Sequence, residues 1–402
     1  MKLFTWHDAE VQIYGKRDRW PESWNRVDVY HDEIVIEVHQ EEQDYDKQES
    51  EAALNDIFEK KYCDGKITLD LNDAVLEVNY EFDPDGQKMQ FERAPLFRDI
   101  DFAKNETALS KASLDVPIVA FHSYKGGVGR TLSLISLAKE ITARYKKNKK
   151  ILIIDADIEA PGLTRLYENR TSISFMDILS IMHYEELNDN VAEQTAEFIR
   201  DNTIMIDDGE QNYEHYFLPV YREPAQITSF VSTPDKIIQV QNDRYVITDF
   251  LALVGKKLGV DMILIDLRAG VTEYSAPFLF DSRVFKYMIS STSKQSVEGT
   301  RSVLEELNKN MDDPFERVRV FLGMILPSME ESTIESIEGE LVAPIDQVKG
   351  DEEKEKNDQY SMRSNYLSRV MFDSKVVHLW DFPQILQALQ GTDAAAVMSE
   401  LV

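Results

Sequence analysis

The stretch "AFHSYKGGVGRTLSLISLAKE" (residues 120–140) joins an apolar run to a segment of helical periodicity through a loop rich in glycine. Glycine has no Cβ, so a backbone can approach a ligand closely there, and successive N–H groups in such a turn form a concavity that binds anions. The helix expected to begin near Arg130 would add the positive end of its dipole. The order of strand, glycine-rich loop and helix therefore predicts a polyphosphate site.

The side chains of this loop are those that a nucleotide site needs. A cationic side chain can reach phosphate oxygens, and the Thr131 hydroxyl is a suitable ligand for Mg²⁺. A strict GxxxxGK[ST] pattern is not met, because Tyr124 stands at the first glycine and Arg130 at the lysine. The residues that we predict to bind nucleotide are Lys125, Gly126, Gly127, Val128, Gly129, Arg130, Thr131 and Leu132.

Arginine at position 130 keeps the positive charge, but its planar fork differs in shape from the compact ammonium group of lysine. We expect nucleotide binding to survive this replacement. Hydrolysis is the step put at risk, because charge in the transition state must be met with close geometry.

Two further apolar runs end in aspartate. "ILIIDADIEAPGL" (151–163) carries Asp155 and Asp157, and "DMILIDLRAG" (261–270) carries Asp266. Parallel strands end at one edge of a sheet, where ligands bind in open α/β folds, and carboxylates two residues apart on a strand point the same way. These aspartates are therefore predicted to lie beside the glycine-rich loop.

Read as KGGVG[K/R]T, the loop resembles the deviant Walker A motif of the ParA/MinD-type ATPases, and the resemblance covers residues 116–327. It implies a slow ATP hydrolase that uses ATP and Mg²⁺. It also implies a homodimer with ATP at the interface, in which Lys125 contacts the nucleotide of the partner subunit. Lys125, Asp157 and Arg130 would then be the catalytic residues, with Asp157 orienting the attacking water.

The same resemblance implies that Thr131, Asp155 and Asp266 lie around the metal ion, with Asp266 acting through a water molecule. Two roles stay open for Arg268, which follows the third motif: a sensor of the γ-phosphate or one half of a structural ion pair. Pro161, Gly162 and Gly270 fit the switch loops of such ATPases, because these loops need a backbone that can move.

Composition indicates which members of this family the chain does not resemble. A single cysteine, Cys63, excludes a disulfide within the chain and a clustered iron–sulfur site, and it fits a reducing cytoplasm. The C-terminal "GTDAAAVMSELV" has no basic residue with which to dock on a membrane. The net charge of −29 disfavours nucleic acid as a partner.

What remains is a nucleotide-dependent dimerising switch that regulates a partner or effector protein. The motifs resemble a subgroup of bacterial ATPases that are often paired with an effector, including in antiviral defence. Two alternatives stay open: an ATP-binding scaffold with little or no hydrolysis, and a DNA-partition ATPase.

Residues 113–402 are predicted to form a doubly wound α/β domain, because continuous apolar runs suit strands of a parallel sheet buried on both faces. Residues 1–112 are predicted to form a separate acidic α+β domain, with strand patterns in 26–39 and 66–82 and a helix in 48–62. The acidic stretch 328–360 is predicted to be a solvated insertion.

Overall fold

The computed structural model describes residues 1–39, 47–71, 74–88, 113–167, 171–310, 315–348, 366–376 and 381–402. The chain divides into two compact units, Met1–Glu92 and Arg93–Val402. The predicted domain boundary at 112/113 adjoins residues 89–112, which lie outside the described part of the chain, so this boundary stays a prediction.

The first unit is a five-stranded sheet with two helices. Its sheet order is β1-β2-β5-β4-β3, in which β2 and β5 are parallel and the other neighbours antiparallel. The elements are α1 (Trp6–Gly15), β1 (Trp24–Val29), β2 (Glu33–Val38), α2 (Lys47–Phe58), β3 (Tyr62–Cys63), β4 (Lys66–Thr68) and β5 (Val75–Phe82). Both predicted strand regions and the predicted helix are confirmed, and Thr68 lies opposite Val75 in the predicted hairpin.

Two of the tryptophans of this unit belong to its interior. Trp24 is buried, and its indole N–H donates to the Ser50 hydroxyl at 2.6 Å. The Trp20 indole donates to the carbonyl of Ile13 at 3.0 Å. Trp6, in contrast, is 39% exposed. The alternating strands therefore bury one face of the sheet against the helices, as half-buried strands do.

The second unit is built on an eight-stranded sheet of order β13-β12-β11-β6-β10-β7-β9-β8, in which the β8–β9 pair alone among the described strands is antiparallel. The strands are β6 (Ile118–His122), β7 (Ile151–Ala156), β8 (Thr203–Asp207), β9 (Asn212–Leu218), β10 (Met262–Leu267), β11 (Phe285–Ser291), β12 (Val318–Ile325) and β13 (Leu367–Met371). This confirms the predicted mostly parallel α/β sheet.

Helices cover both faces of this sheet. They are α3 (Arg130–Tyr145), α4 (Leu163–Leu166), α5 (Phe175–Tyr184), α6 (Asp189–Arg200), α7 (Ala225–Ser229), α8 (Pro234–Gln241), α9 (Val246–Leu258), α10 (Ala276–Leu279), α11 (Lys294–Asn310), α12 (Glu331–Val348), α13 (Phe382–Leu389) and α14 (Asp393–Ser399). In β6, Ile118 and Ala120 belong to one core cluster and Val119 and Phe121 to the other. Burial on both faces explains why the strands read as continuous apolar runs.

The acidic stretch 328–360 is not a solvated insertion where the structure describes it. Residues 331–348 form α12, which packs against α11. The side chain of Glu338 is largely buried and accepts two hydrogen bonds from the Arg369 guanidinium. The buried apolar residues of α12 are Ile334, Leu341, Val342 and Ile345. The prediction was wrong for this segment because the abundance of carboxylates hid an amphipathic helix, and residues 349–365 lie outside the described part.

Among the described helices, none combines the length and the hydrophobicity that crossing a bilayer requires.

A buried histidine joins α3 to the sheet. His215 on β9 accepts a hydrogen bond at Nδ1 from the backbone N–H of Ile151 at 3.3 Å, and its Nε2 lies 2.9 Å from the Thr142 hydroxyl. That hydroxyl donates to the carbonyl of Ala138, so His215 Nε2 is the donor and the ring is neutral. Burial lowers the pKa of His215 to about 4.

This histidine makes the fold sensitive to acid. In the unfolded chain it would take up a proton near pH 6.5, so its contribution to stability is complete above that pH and is lost as the pH falls toward 4. Between pH 7 and pH 4, the unfolding free energy of the wild type should fall by on the order of 3 kcal/mol more than that of His215→Gln. Urea unfolding followed by circular dichroism measures this difference.

The matched control is His31→Gln, since the His31 side chain is 81% exposed. If the unfolding free energies of His215→Gln and the wild type depend equally on pH, the His215 ring does not take up a proton when the protein unfolds, and the prediction is contradicted.

Candidate functional site

The glycine-rich loop connects β6 to α3 at the carboxyl edge of the sheet. Gly127 and Gly129 have φ angles of +74° and +94°, which residues other than glycine rarely adopt. A Cβ added at either glycine, or at Gly126, would have no described atom within 4 Å, apart from atoms of the neighbouring residues in the chain. The loop thus encloses open space at the start of α3, as an anion cradle requires.

Thr131 and Asp266 meet beside this cradle. The Thr131 hydroxyl donates to Asp266 Oδ2 at 2.6 Å, although 135 positions separate the two residues in the sequence. Asp266 is the penultimate residue of β10, the strand hydrogen-bonded to β6, and it is fully buried. Burial raises the pKa of this carboxyl, while the Arg130 charge and the Thr131 hydrogen bond work in the opposite direction. Two of the residues that the sequence assigns to the metal ion thus lie together, and their part in binding it stays a prediction.

Arg130 points toward carboxylates. Its Nε donates to Asp266 Oδ1 at 2.5 Å, and its Nη2 donates to Asp157 Oδ2 at 2.8 Å. Burial opposes the charge on the guanidinium, but the two carboxylates outweigh that effect and hold the pKa of Arg130 above its usual value. Arg130 was predicted to reach phosphate, whereas here it bridges the ends of two neighbouring strands.

Asp155 is held by hydrogen bonds within the chain. It is fully buried, and its Oδ2 accepts hydrogen bonds from both the backbone N–H and the hydroxyl of Thr164, each at 2.8 Å. Its Oδ1 accepts from the N–H of Asp157 at 3.1 Å. Burial, and then the negative charge of Asp266, raise the pKa of Asp155 to about 7. Asp155 therefore fixes the start of α4, and its predicted place near the metal ion stays a prediction.

The loop after β10 is tied to β6 by a histidine that the sequence analysis missed. His122 is fully buried, and its Nε2 lies 2.8 Å from the carbonyl of Gly270, while the Gly270 N–H donates to the Ser123 carbonyl at 2.9 Å. Burial lowers the pKa of His122 to about 4, so the neutral ring donates through Nε2. A polar residue inside the apolar run 117–122 was the available signal.

Arg268 and Lys125 also have partners within the chain. Arg268 forms an ion pair with Glu159, which follows Asp157 on the other predicted switch loop. This contact agrees with the ion-pair role among the two left open for Arg268. Lys125 donates from Nζ to the Ser293 hydroxyl at 3.5 Å, just before α11 begins.

These residues fit a nucleoside triphosphate with magnesium. The open cradle suits a polyphosphate, and the adjacent oxygens of Thr131 and Asp266 are the hard donors that Mg²⁺ prefers. No cluster of three or more His, Cys, Asp or Glu side chains able to hold a metal occurs in the described residues. A metal held here would take its remaining ligands from phosphate and water, as Mg²⁺ usually does.

The strand, the glycine cradle and the buried aspartate at the end of the neighbouring strand define a P-loop nucleotide-binding domain. Residues 116–313 match the family model described as an AAA domain. This match includes β6, the glycine-rich loop and the aspartates Asp155, Asp157 and Asp266.

Three solved structures are similar to this chain over much of its length. A ParA family ATPase from Chlorobium tepidum TLS is 14% identical, with a TM-score of 0.46, covering 71% of this chain and 98% of that one. The MinC:MinD cell division protein complex of Aquifex aeolicus is 16% identical, with a TM-score of 0.40 and coverage of 70% and 95%.

The third is a putative plasmid partition protein from Borrelia burgdorferi B31 bound to AMPPNP, 16% identical, with a TM-score of 0.41 and coverage of 71% and 99%. No curated protein matches this sequence.

The bridge made by Arg130 gives a stability prediction. Arg130→Met removes the counter-ion from two buried carboxylates, and uncompensated buried charge typically costs about 3–5 kcal/mol. We expect urea denaturation at pH 7.5 to show a loss of this size. The control is Arg268→Met, whose partner Glu159 is 60% exposed, so we expect a loss below about 1 kcal/mol. Equal losses for the two variants would contradict the bridging role.

Proposed function

We propose that this protein is an Mg²⁺-ATP-dependent molecular switch, which dimerises around ATP, hydrolyses it slowly and thereby regulates a partner protein. The observation that carries the proposal is the open cradle at Gly127 and Gly129 with the Thr131–Asp266 pair beside it. A cradle of exposed N–H groups at a helix N-terminus is a site for phosphate groups, and the hydroxyl–carboxylate pair supplies the oxygens for their counter-ion.

Each residue then has a stated part in the cycle. Backbone N–H groups of residues 126–131 bind the phosphates, and Thr131 with Asp266 holds Mg²⁺, whose charge offsets that of the phosphate oxygens when it is bound. Asp157 orients the water that attacks the γ-phosphorus, and the bond to the bridging oxygen breaks to leave ADP and phosphate. Lys125 of each subunit contacts the nucleotide of the other.

Arg130 supports a second candidate function, in which the protein is an ATP-binding scaffold with little turnover. Its guanidinium is bonded to Asp157 and Asp266, the two carboxylates that the cycle needs. Hydrolysis would require this bridge to open so that Asp157 can contact water. A buried, doubly bonded arginine opposes that opening.

The partner that we propose is an effector protein, in the setting of antiviral defence that the sequence motifs imply. We assign no part to nucleic acid, and the surroundings of the basic run 144–150 support this. Lys146 lies 3.7 Å from Asp208, and Lys150 lies 3.2 Å from Glu214. These ion pairs leave less positive charge for a phosphate backbone, in a chain whose net charge is −29.

Light scattering and phosphate release test the switch. With Mg²⁺ and a non-hydrolysable ATP analogue, we expect the mass of the wild type to double. Lys125→Ala should dimerise much more weakly than the wild type, and its phosphate release should fall at least about tenfold, because the partner's site loses a cation at the transferred phosphate.

The matched control is Lys147→Ala, since Lys147 is an exposed lysine just after α3. It should behave as the wild type does. A wild type that stays monomeric with bound analogue, or a Lys125→Ala variant that dimerises normally, would contradict the switch.

Arg130→Lys separates the two candidate functions. If the arginine bridge limits turnover, the compact ammonium group should raise phosphate release about tenfold, equivalent to about 1.4 kcal/mol of barrier. The comparison is made at saturating Mg²⁺-ATP, with Arg268→Lys as the control for an arginine elsewhere in the site. An unchanged or lower rate would contradict the scaffold.

A further inference from the structure

Tyr124 and Gly299 form a complementary pair. Tyr124 is the residue that replaces the first glycine of the common phosphate-loop pattern, and Gly299 lies within α11. A Cβ built on Gly299 would lie only 2.0 Å from Cδ1 and 2.2 Å from Cγ of the Tyr124 ring. The ring therefore lies directly against the helix backbone, in space that any residue other than glycine would fill.

The presence of glycine at position 299 has a steric explanation. Its φ angle is not in the left-handed region, so the backbone conformation of α11 does not require it. Glycine inside a helix costs roughly 0.5–1 kcal/mol relative to alanine. The tyrosine ring accounts for its presence at position 299.

The next residue of the loop contacts the residue that precedes the same helix. Lys125 Nζ donates to the Ser293 hydroxyl, and the Ser293 and Ser291 hydroxyls lie 3.0 Å apart. Ser291 is fixed in turn, because its N–H donates to the Ser296 hydroxyl at 3.0 Å. The acceptor of Lys125 thus belongs to a hydrogen-bonded group of serines where β11 passes into α11.

We propose that Gly299, through the Tyr124 ring, and Ser293, through its hydrogen bond to Nζ, are positioning residues that fix the direction in which Lys125 leaves the loop toward a second copy of this chain. The inference rests on the proposed function of Lys125 in the partner's site. It assigns to α11 the task of holding the lysine in a defined orientation before the subunits meet, which lowers the entropic cost of ordering a long side chain on association.

The geometry supports this assignment in two ways. Consecutive residues of the loop are held by Gly299 in α11 and by Ser293 just before it, so a turn of the backbone between Tyr124 and Lys125 would disturb both contacts. The nucleotide cradle begins at Gly126, and no atom of Gly299 lies within 4 Å of the position that a Cβ would take at any of its three glycines. A change at Gly299 should therefore disturb the lysine more than the nucleotide.

Gly299→Ala tests the proposal. Its Cβ would displace the Tyr124 ring, so we expect the analogue-bound dimer to weaken about tenfold in sedimentation equilibrium, equivalent to about 1.4 kcal/mol. Nucleotide affinity of the monomer, measured with a fluorescent ATP analogue, should change less than about threefold. The matched control is Gly339→Ala in α12, where a Cβ would meet no described atom within 4 Å.

The decisive comparison is made in a Lys125→Ala background. If Gly299 acts through the lysine, adding Gly299→Ala to Lys125→Ala should weaken the dimer by less than about twofold, because the group being positioned is already absent. A full tenfold further loss in that background would overturn the proposal while leaving the switch intact. If Lys125→Ala alone has no effect on the dimer, the proposed function itself fails.

Tyr124→Gly provides a second route if Gly299→Ala does not fold. This variant removes the ring without a clash, and it should weaken the dimer in the same way with the same dependence on Lys125. Tyr124→Phe keeps the ring and should match the wild type. A Tyr124→Gly variant that dimerises as the wild type does would overturn the positioning role.

Discussion

The hydrogen bonds that Asp266 accepts from Thr131 and Arg130 are the interaction on which the site depends. They join the end of β10 to the first two residues of α3, and this fixes the position at which the glycine loop between β6 and α3 ends. A fully buried carboxylate is tolerated only when charge and hydrogen bonds compensate its desolvation. Arg130 supplies that compensation, and by contacting Asp157 it extends the same network to the end of β7.

This network makes the site a balance of charges. Two buried carboxylates, Asp157 and Asp266, share the Arg130 guanidinium, so a polyphosphate and its metal ion enter a region in which this cation is already bonded. Binding must therefore compete with the Arg130 contacts. The two proposed functions, a switch with turnover and a scaffold without it, differ in whether these contacts open.

Much of the architecture could be predicted from sequence because its signals are local. The strands of the central sheet are buried on both faces, so they read as apolar runs, and Gly127 and Gly129 mark a backbone conformation that few other residues adopt. Asp266 could be placed beside Thr131 because parallel strands share one carboxyl edge.

The direction of individual side chains could not be predicted. Asp155 and Asp157 lie at one strand end, yet one faces Thr164 and the other Arg130, and this choice depends on residues brought together by the fold. The contact between His122 and Gly270 spans 148 positions and had no local signal beyond a polar residue in an apolar run. In α12, the many carboxylates obscure the helical spacing of Ile334, Leu341 and Ile345, so a packed helix has the composition of a solvated segment.

The central claim is that the loop from Tyr124 to Thr131 binds a nucleoside triphosphate with magnesium. Isothermal titration calorimetry of Mg²⁺-ATP into folded protein, at two temperatures so that a vanishing enthalpy at one is not mistaken for no binding, tests it most directly. The account predicts saturable heat with one nucleotide per chain, lost when Thr131 and Asp266 are both replaced by alanine. Absence of heat at both temperatures from a protein with intact secondary structure would contradict it.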